Sequence, residues 1–197
     1  SYDQRAALPT EQREGAHLAE RAAAEAVGRR RREVGPELTL AVESELRRLA
    51  MPHAALGVEI GDHLDDHPGD RVQFLLAANP GSPLLPLTRV ASGGELARAM
   101  LALRLVLSAV GANEANGAER GRTLVFDEVD AGIGGAAAQA IGDALAELGR
   151  HHQVLVVTHL AQVAAAAATQ ISVSKSVHDG QTFATATPID AEQRVLE

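Results

Sequence analysis

Two short runs, Thr123-Leu124-Val125-Phe126 and Val154-Leu155-Val156-Val157, carry no charge and, after the opening threonine, no polar side chain; a single helical stretch over residues 134–149 separates them. A half-solvated strand alternates apolar and polar residues, so runs of this kind predict strands covered on both faces. Strands joined through one helix predict a parallel pair with a right-handed crossover. The fold class expected is therefore α/β, with a mainly parallel sheet flanked by helices. A second helix is predicted over residues 93–110, where Leu96, Met100, Leu103, Leu107 and Val110 recur at spacings of three and four. Residues 56–60 and 71–77 read as strands around the polar stretch 61–70. Residues 170–177 and 181–187 read as a hairpin turning at His178-Asp179-Gly180. Residues 111–121 read as a polar surface loop.

The first fifty residues differ in kind. They are charged and alanine-rich, and the pair Gly35-Pro36 predicts a break between two helical pieces. Leu38, Val42, Leu46 and Leu49 give the second piece one narrow apolar face. Leu18, Ala22, Ala26 and Val27 give the first a thinner seam, which suits a paired helical arm better than a core helix. Residues 1–50 are thus expected to form a coiled-coil arm and residues 51–197 a compact lobe. The run Arg29 to Arg32 could touch phosphate, although a solvated helix face explains it more simply.

Composition excludes several function classes. No run approaches the roughly 18 apolar residues of a membrane span, and charges at Asp3, Arg5, Glu11, Arg13, Glu14 and Glu20 are unlike a signal peptide, so a soluble cytoplasmic location with no membrane partner is expected. The absence of cysteine removes disulfides, thiolate zinc sites and cysteine nucleophiles. Residues 1–50 balance nine basic against nine acidic side chains, so the net charge of −8 lies entirely in the remainder, which argues against a generic polyanion-binding body. With 38 alanines and only Tyr2, Phe74, Phe126 and Phe183 as aromatics, the core is expected to be built by close helix packing.

In open α/β sheets ligands sit beyond the carboxyl ends of the strands. Asp127 and Glu128 follow the first apolar run, and Thr158 and His159 follow the second. Adjacent carboxylates at such an edge can divide labour, one holding Mg²⁺ and the other orienting and deprotonating a water; a strand-end aspartate capping the next turn is the plainer alternative. Ser92-Gly93-Gly94-Glu95 stands directly before the helix at 93–110. Ser92 and Glu95 have capping-box spacing, but the paired glycines also let backbone N–H groups approach an anion at the positive end of the helix dipole. His63-Leu64-Asp65-Asp66-His67 suggests a metal site, yet it reads better as a solvated turn because nothing closes the coordination shell.

Together these residues resemble a known group. Val90-Ala91-Ser92-Gly93-Gly94-Glu95-Leu96 is similar to the signature motif of ABC-type ATPases, Thr123 to Glu128 to their Walker B strand, and His159 falls at their switch histidine. The SGGE form followed by Asp127-Glu128-Val129-Asp130 resembles the heads of SMC-like DNA-repair ATPases, as do Met51-Pro52-His53-Ala54, Ala78-Asn79-Pro80-Gly81, the stretch Val129 to Gly135, and Thr158 to Val163. The resemblance implies ATP and Mg²⁺ as cofactors. It implies that Ser92, Gly93, Gly94 and Glu95 face the γ-phosphate of ATP on a second, opposed head, that Asp127 serves Mg²⁺, that Glu128 polarises the attacking water and that His159 senses the γ-phosphate. Asp130, which the resemblance counts among the nucleotide-binding residues, would lie in the loop crossing the dimer interface, near whose end this chain has Gly134 where many members carry aspartate.

No two glycines are spaced as in a P-loop, and the one lysine, Lys175, lies in an expected strand. The chain is accordingly expected to be the C-terminal lobe of a head with its returning coiled-coil arm, inactive alone, partnered by an N-terminal P-loop lobe of the same protein, by a second head and by DNA, and associated with the nucleoid. The alternatives are the lobe of another SMC-like or RecF-like ATPase, or a non-catalytic dimerisation module of that fold.

Overall fold

In a computed structural model the described residues are 2–61, 71–90, 92–111, 121–178 and 181–190. They divide into two compact units, one of residues 1–44 and 53–90, the other of residues 45–52 and 91–197. Among the described residues no helix is long and apolar enough to cross a membrane.

The first unit contains most of helix α1, Tyr2–Arg48, whose last turn belongs to the second. The break expected at Gly35-Pro36 does not occur. Proline removes one ladder bond and costs about 3 kcal/mol in a helix interior, but here the residue before it is packed: Gly35 is buried, with the place of its missing Cβ 3.6 Å from Ile60 Cδ1, while Pro36 itself is exposed. Farther along the arm Leu18 and Val27 are exposed. Strand β1, Ala55–Gly61, pairs antiparallel with β2, Arg71–Ala77, in the register Ala55↔Ala77 to Gly61↔Arg71, and the short β3, Leu85–Pro86, adds to the other edge of β2. The Leu56 amide donates to Glu43 Oε1 at 3.0 Å, tying β1 to α1. Leu56, Leu75, Leu76 and Val42 are buried in this unit. A one-turn 3-10 helix, Leu87–Arg89, follows. The stretch His63 to His67 lies outside the described residues, as do most of the polar loop at 111–121 and the turn residues 179 and 180.

The second unit is built as helix α2, Gly93–Gly111; strand β4, Thr123–Phe126; helix α3, Ala136–Gly149; strand β5, Gln153–Val156; the short α4, Ala161–Ala165; and strands β6, Gln170–His178, and β7, Gln181–Ile189. The parallel pairing expected from the apolar runs is the β4–β5 pair, in register Thr123↔Gln153 through Phe126↔Val156. The remaining sheets are antiparallel because their strands are joined by short connections, and a parallel pair needs a crossover. Helix α3 starts later than expected, since Gly135, at φ 57° and ψ −133°, forms its N-cap. Pro188 falls inside β7, as an edge strand tolerates a residue without an N–H.

The core of this unit combines alanines with large aliphatic side chains. Ala99, Leu101, Ala102 and Leu105 of α2 are buried, as are Ala138, Ile141, Ala144 and Leu148 of α3. Of the α2 stripe expected from spacing, only Leu103 is buried, while Met100, Leu107 and Val110 are exposed. The helix is apolar on two faces, and alanine lets one of them approach its neighbours closely. Gly142 does the same between α3 and α4, its missing Cβ lying 3.1 Å from the Gln162 carbonyl oxygen.

Candidate nucleotide site at the β4–β5 edge

Because β4 and β5 run parallel and end in step, the residues after Phe126 and after Val156 emerge at one sheet edge. The Val157 amide still donates to the Phe126 carbonyl at 3.0 Å, carrying the pairing to the brink of the site. Asp127 and Glu128 are exposed there. Glu128 has φ 56°, in the left-handed region that non-glycine residues seldom occupy. The chain then folds into a tight turn closed by the Ala131 amide on the Glu128 carbonyl at 3.0 Å.

Asp130 does not share the exposure of its neighbours; it is 2% exposed. Its Oδ2 accepts a hydrogen bond from Thr158 Oγ1 and another from the His159 amide at 3.4 Å, and stands 3.5 Å from His159 Nδ1. Thr158 Oγ1 in turn accepts the Leu160 amide at 3.0 Å. This buried carboxylate therefore fixes the segment after β5 to the segment after β4. The His159 side chain remains 74% exposed, held at one ring nitrogen and open on the rest.

The third element is the start of α2. Ser92 Oγ accepts the Glu95 amide at 3.4 Å and the Ser92 carbonyl accepts the Leu96 amide at 3.1 Å, so Ser92 is the helix N-cap. The glycines after it have close neighbours, movable at Gly93 and fixed at Gly94. The missing Cβ of Gly93 would lie 2.5 Å from Glu128 Oε2, and that of Gly94 would lie 3.0 Å from Ala131 Cβ and 3.1 Å from its carbonyl oxygen. The structure thus brings Ser92, Gly93 and Gly94 against Glu128 and the Asp130 turn, with Asp127 and His159 on the same edge. Among the described residues no group of three or more His, Cys, Asp or Glu side chains could hold a metal ion.

One residue of this region was not singled out from sequence. Arg98, 6% exposed, donates from Nη1 to the carbonyls of Ala131 at 3.1 Å and Val129 at 3.4 Å. Burial lowers its pKa from the ordinary arginine value, and the charge of Glu95 acts the other way. Its sequence signal is modest: a cation four residues after Gly94, next to the alanine and leucine positions that form the buried face of α2.

The chain is 42% identical over 188 residues to the DNA repair protein RecN of Streptomyces coelicolor, a match covering 88% of this chain and 32% of that relative. It is 43% identical over 170 residues to RecN of Deinococcus radiodurans, covering 85% of this chain and 28% of the relative. It therefore spans about a third of the length of these curated relatives. Among solved structures it resembles an Smc head domain with a coiled coil and joint from Pyrococcus yayanosii, with TM-score 0.54 and 21% identity over 81% of this chain and 28% of that one. An Smc head domain from Pyrococcus furiosus gives 0.50 and 21% over 81% and 36%. At that identity the likeness establishes the fold, an α/β ATPase-head architecture. No family model matches the chain.

Proposed function

We propose that the chain, 42% identical to S. coelicolor RecN over 188 residues, is a RecN-type chain and acts as the C-terminal lobe of an SMC-like ATPase head in double-strand break repair and recombination. The observation that carries this reading is the β4–β5 edge: two exposed carboxylates and an exposed imidazole, joined through the buried Asp130. An enclosed metal cage is absent among the described residues, and that donor set suits Mg²⁺, which keeps several waters and is held by one or two carboxylates together with substrate phosphates. When bound, the ion neutralises charge on the phosphate oxygens.

In this reading Asp127 holds the metal, and Glu128 accepts a hydrogen bond from the attacking water, aligns it and takes its proton. His159, with Nδ1 turned to Asp130, keeps Nε2 as the ring nitrogen that meets the γ-phosphate. Ser92, Gly93, Gly94 and Glu95 form the first turn of α2, whose backbone N–H groups and dipole receive the γ-phosphate of ATP bound to an opposed head. Asp130 acts from beneath, holding Thr158 and His159 rather than reaching nucleotide. The P-loop comes from the N-terminal lobe of the same protein. Its docking is supported by the uncovered apolar side of the parallel pair, where Val125 is 67% exposed and Leu155 and Val157 are exposed with it. The exposed seam of α1 suits a coiled-coil partner strand, and DNA is the substrate on which the assembled protein works.

The decisive experiment replaces the matching stretch of S. coelicolor RecN by this chain and follows Mg-ATP turnover. The expected result is no turnover by the chain alone, turnover by the chimera, and its loss in Glu128→Gln. Unchanged turnover in Glu128→Gln would assign the lobe to dimerisation instead, and tight Mg-ATP binding by the isolated chain would place the phosphate grip on another loop.

A further inference from the structure

Arg98 and Asp130 are the buried charged residues among those described, and they hold the same turn from opposite sides. Asp130 reaches forward to Thr158 and His159. Arg98 reaches back: it lies one helical turn below Gly94, and its Nη1 is 3.2 Å from the place of the missing Gly94 Cβ while it donates to the carbonyls on either side of Asp130. Those two carbonyls belong to the turn that Glu128 opens in its left-handed conformation.

A buried guanidinium is costly unless its donors are satisfied. Here Nε is buried without a hydrogen-bond partner, and no carboxylate among the described residues forms an ion pair with the group. Packing alone would be better served by leucine or methionine. What the arginine supplies is one terminal amino group, Nη1, whose two hydrogens reach two main-chain carbonyls from one helix position.

We propose that Arg98 is a positioning residue, a strut that fixes the Ser92–Gly94 turn and the Glu128 turn in one relation, so that the segment expected to face one nucleotide and the carboxylate expected to serve another move together. The proposal rests on the nucleotide-site reading for its consequence, though not for its geometry. Arg98 touches no phosphate itself; it acts through Val129 and Ala131.

The test has two arms. In the full 197-residue chain, hydrogen exchange is followed at the Ala131 amide, which bonds Glu128, and at the Glu95 amide, which bonds Ser92. Arg98→Met is expected to speed exchange at both by roughly tenfold while the amides of α3 keep their protection. Arg98→Lys, which retains a cationic donor on a shorter side chain, is expected to fall between, and it also serves if the methionine variant does not fold. In the RecN chimera, with variants matched for folded fraction by unfolding curves, Arg98→Met is expected to lower kcat by about tenfold with KM for Mg-ATP within about twofold, and Arg98→Lys to recover part of the rate. A raised KM with kcat preserved, a rate loss no greater than the loss of folded protein, or exchange that rises at one turn only would each overturn the strut. An inactive parent chimera would instead refute the ATPase reading, and the exchange arm would then decide Arg98 by itself.

Discussion

Gly93 and Gly94 are neighbours in the first turn of α2, yet alanine at each should have opposite consequences for stability. Gly→Ala in a compatible helical conformation contributes about 0.4–1 kcal/mol, largely by restricting the unfolded chain. At Gly93 the added Cβ meets only the end of the exposed Glu128 side chain, 2.5 Å from Oε2, and that carboxylate can turn into solvent. At Gly94 it meets Ala131 Cβ at 3.0 Å, the Ala131 carbonyl oxygen at 3.1 Å and Arg98 Nη1 at 3.2 Å, none of which can leave without moving the buried turn. Overpacking of that kind costs about 1–3 kcal/mol. The expected balance is between no change and a gain of about 1 kcal/mol for Gly93→Ala, and a net loss of about 1–2 kcal/mol for Gly94→Ala. For a chain of this size the loss corresponds to a Tm lower by roughly 3–6 °C. Thermal and urea unfolding of the two variants beside the parent chain make the measurement. Equal stabilities for the two, or a larger penalty at Gly93, would refute the claim that the Asp130 turn is packed immovably against α2.

Asp130→Ala leaves the Thr158 hydroxyl and the His159 amide without their acceptor. The expected loss is about 2–4 kcal/mol in urea unfolding, with Thr158→Val costing less and the double variant less than the sum; strict additivity would separate the two residues. Gly135→Ala places an L side chain at φ 57° and ψ −133° with nothing within 4 Å of its Cβ, so backbone strain alone should cost about 1–3 kcal/mol. A variant as stable as the parent would show that α3 can begin without this cap. Finally, β6 and β7 form a two-stranded sheet with Ile171, Val173 and Val177 exposed on one face. The isolated chain should self-associate with rising concentration, and Val173→Lys should reduce that in light scattering; identical behaviour of the two would exonerate the hairpin.

How far the fold could be read from sequence depended on whether a local signal was contested by packing. The apolar runs at β4 and β5 had no competitor, since a strand without polar positions can only be buried or waiting for cover. At Gly35-Pro36 the local breaker signal is real, but Gly35 is buried beside Ile60 of β1 and the helix runs on at a local cost of about 3 kcal/mol. In α2 the spacing of large side chains pointed to Leu96, Met100, Leu107 and Val110, whereas close packing selects the alanine face at Ala99 and Ala102. Periodicity weights side chains by hydrophobicity, and close helix packing weights them by how little room they take. In a helix apolar on two sides the two criteria choose different faces.

The same division runs through the site. Asp127, Glu128, Ser92 and His159 announce themselves because they stand at element ends, where a chemically active residue has no structural competitor for attention. The residues that hold them do not. From sequence Asp130 reads as a nucleotide-binding member of the interface loop, and its burial under Thr158 and His159 is visible only once β4 and β5 are laid side by side. Arg98 carries little sequence signal, because arginine accounts for every lysine-or-arginine cation here except Lys175. Yet exposed side chains at a strained turn cannot fix their own positions. Glu128 sits in a left-handed conformation that costs on the order of 1–3 kcal/mol, and the bonds that sustain it come from Arg98 on the carbonyls and from Thr158 and His159 on the Asp130 carboxylate. On the proposed reading, two buried charges that offer nothing to a ligand directly hold the geometry of this edge, and substitutions there should disturb it more than their lack of contact with nucleotide suggests.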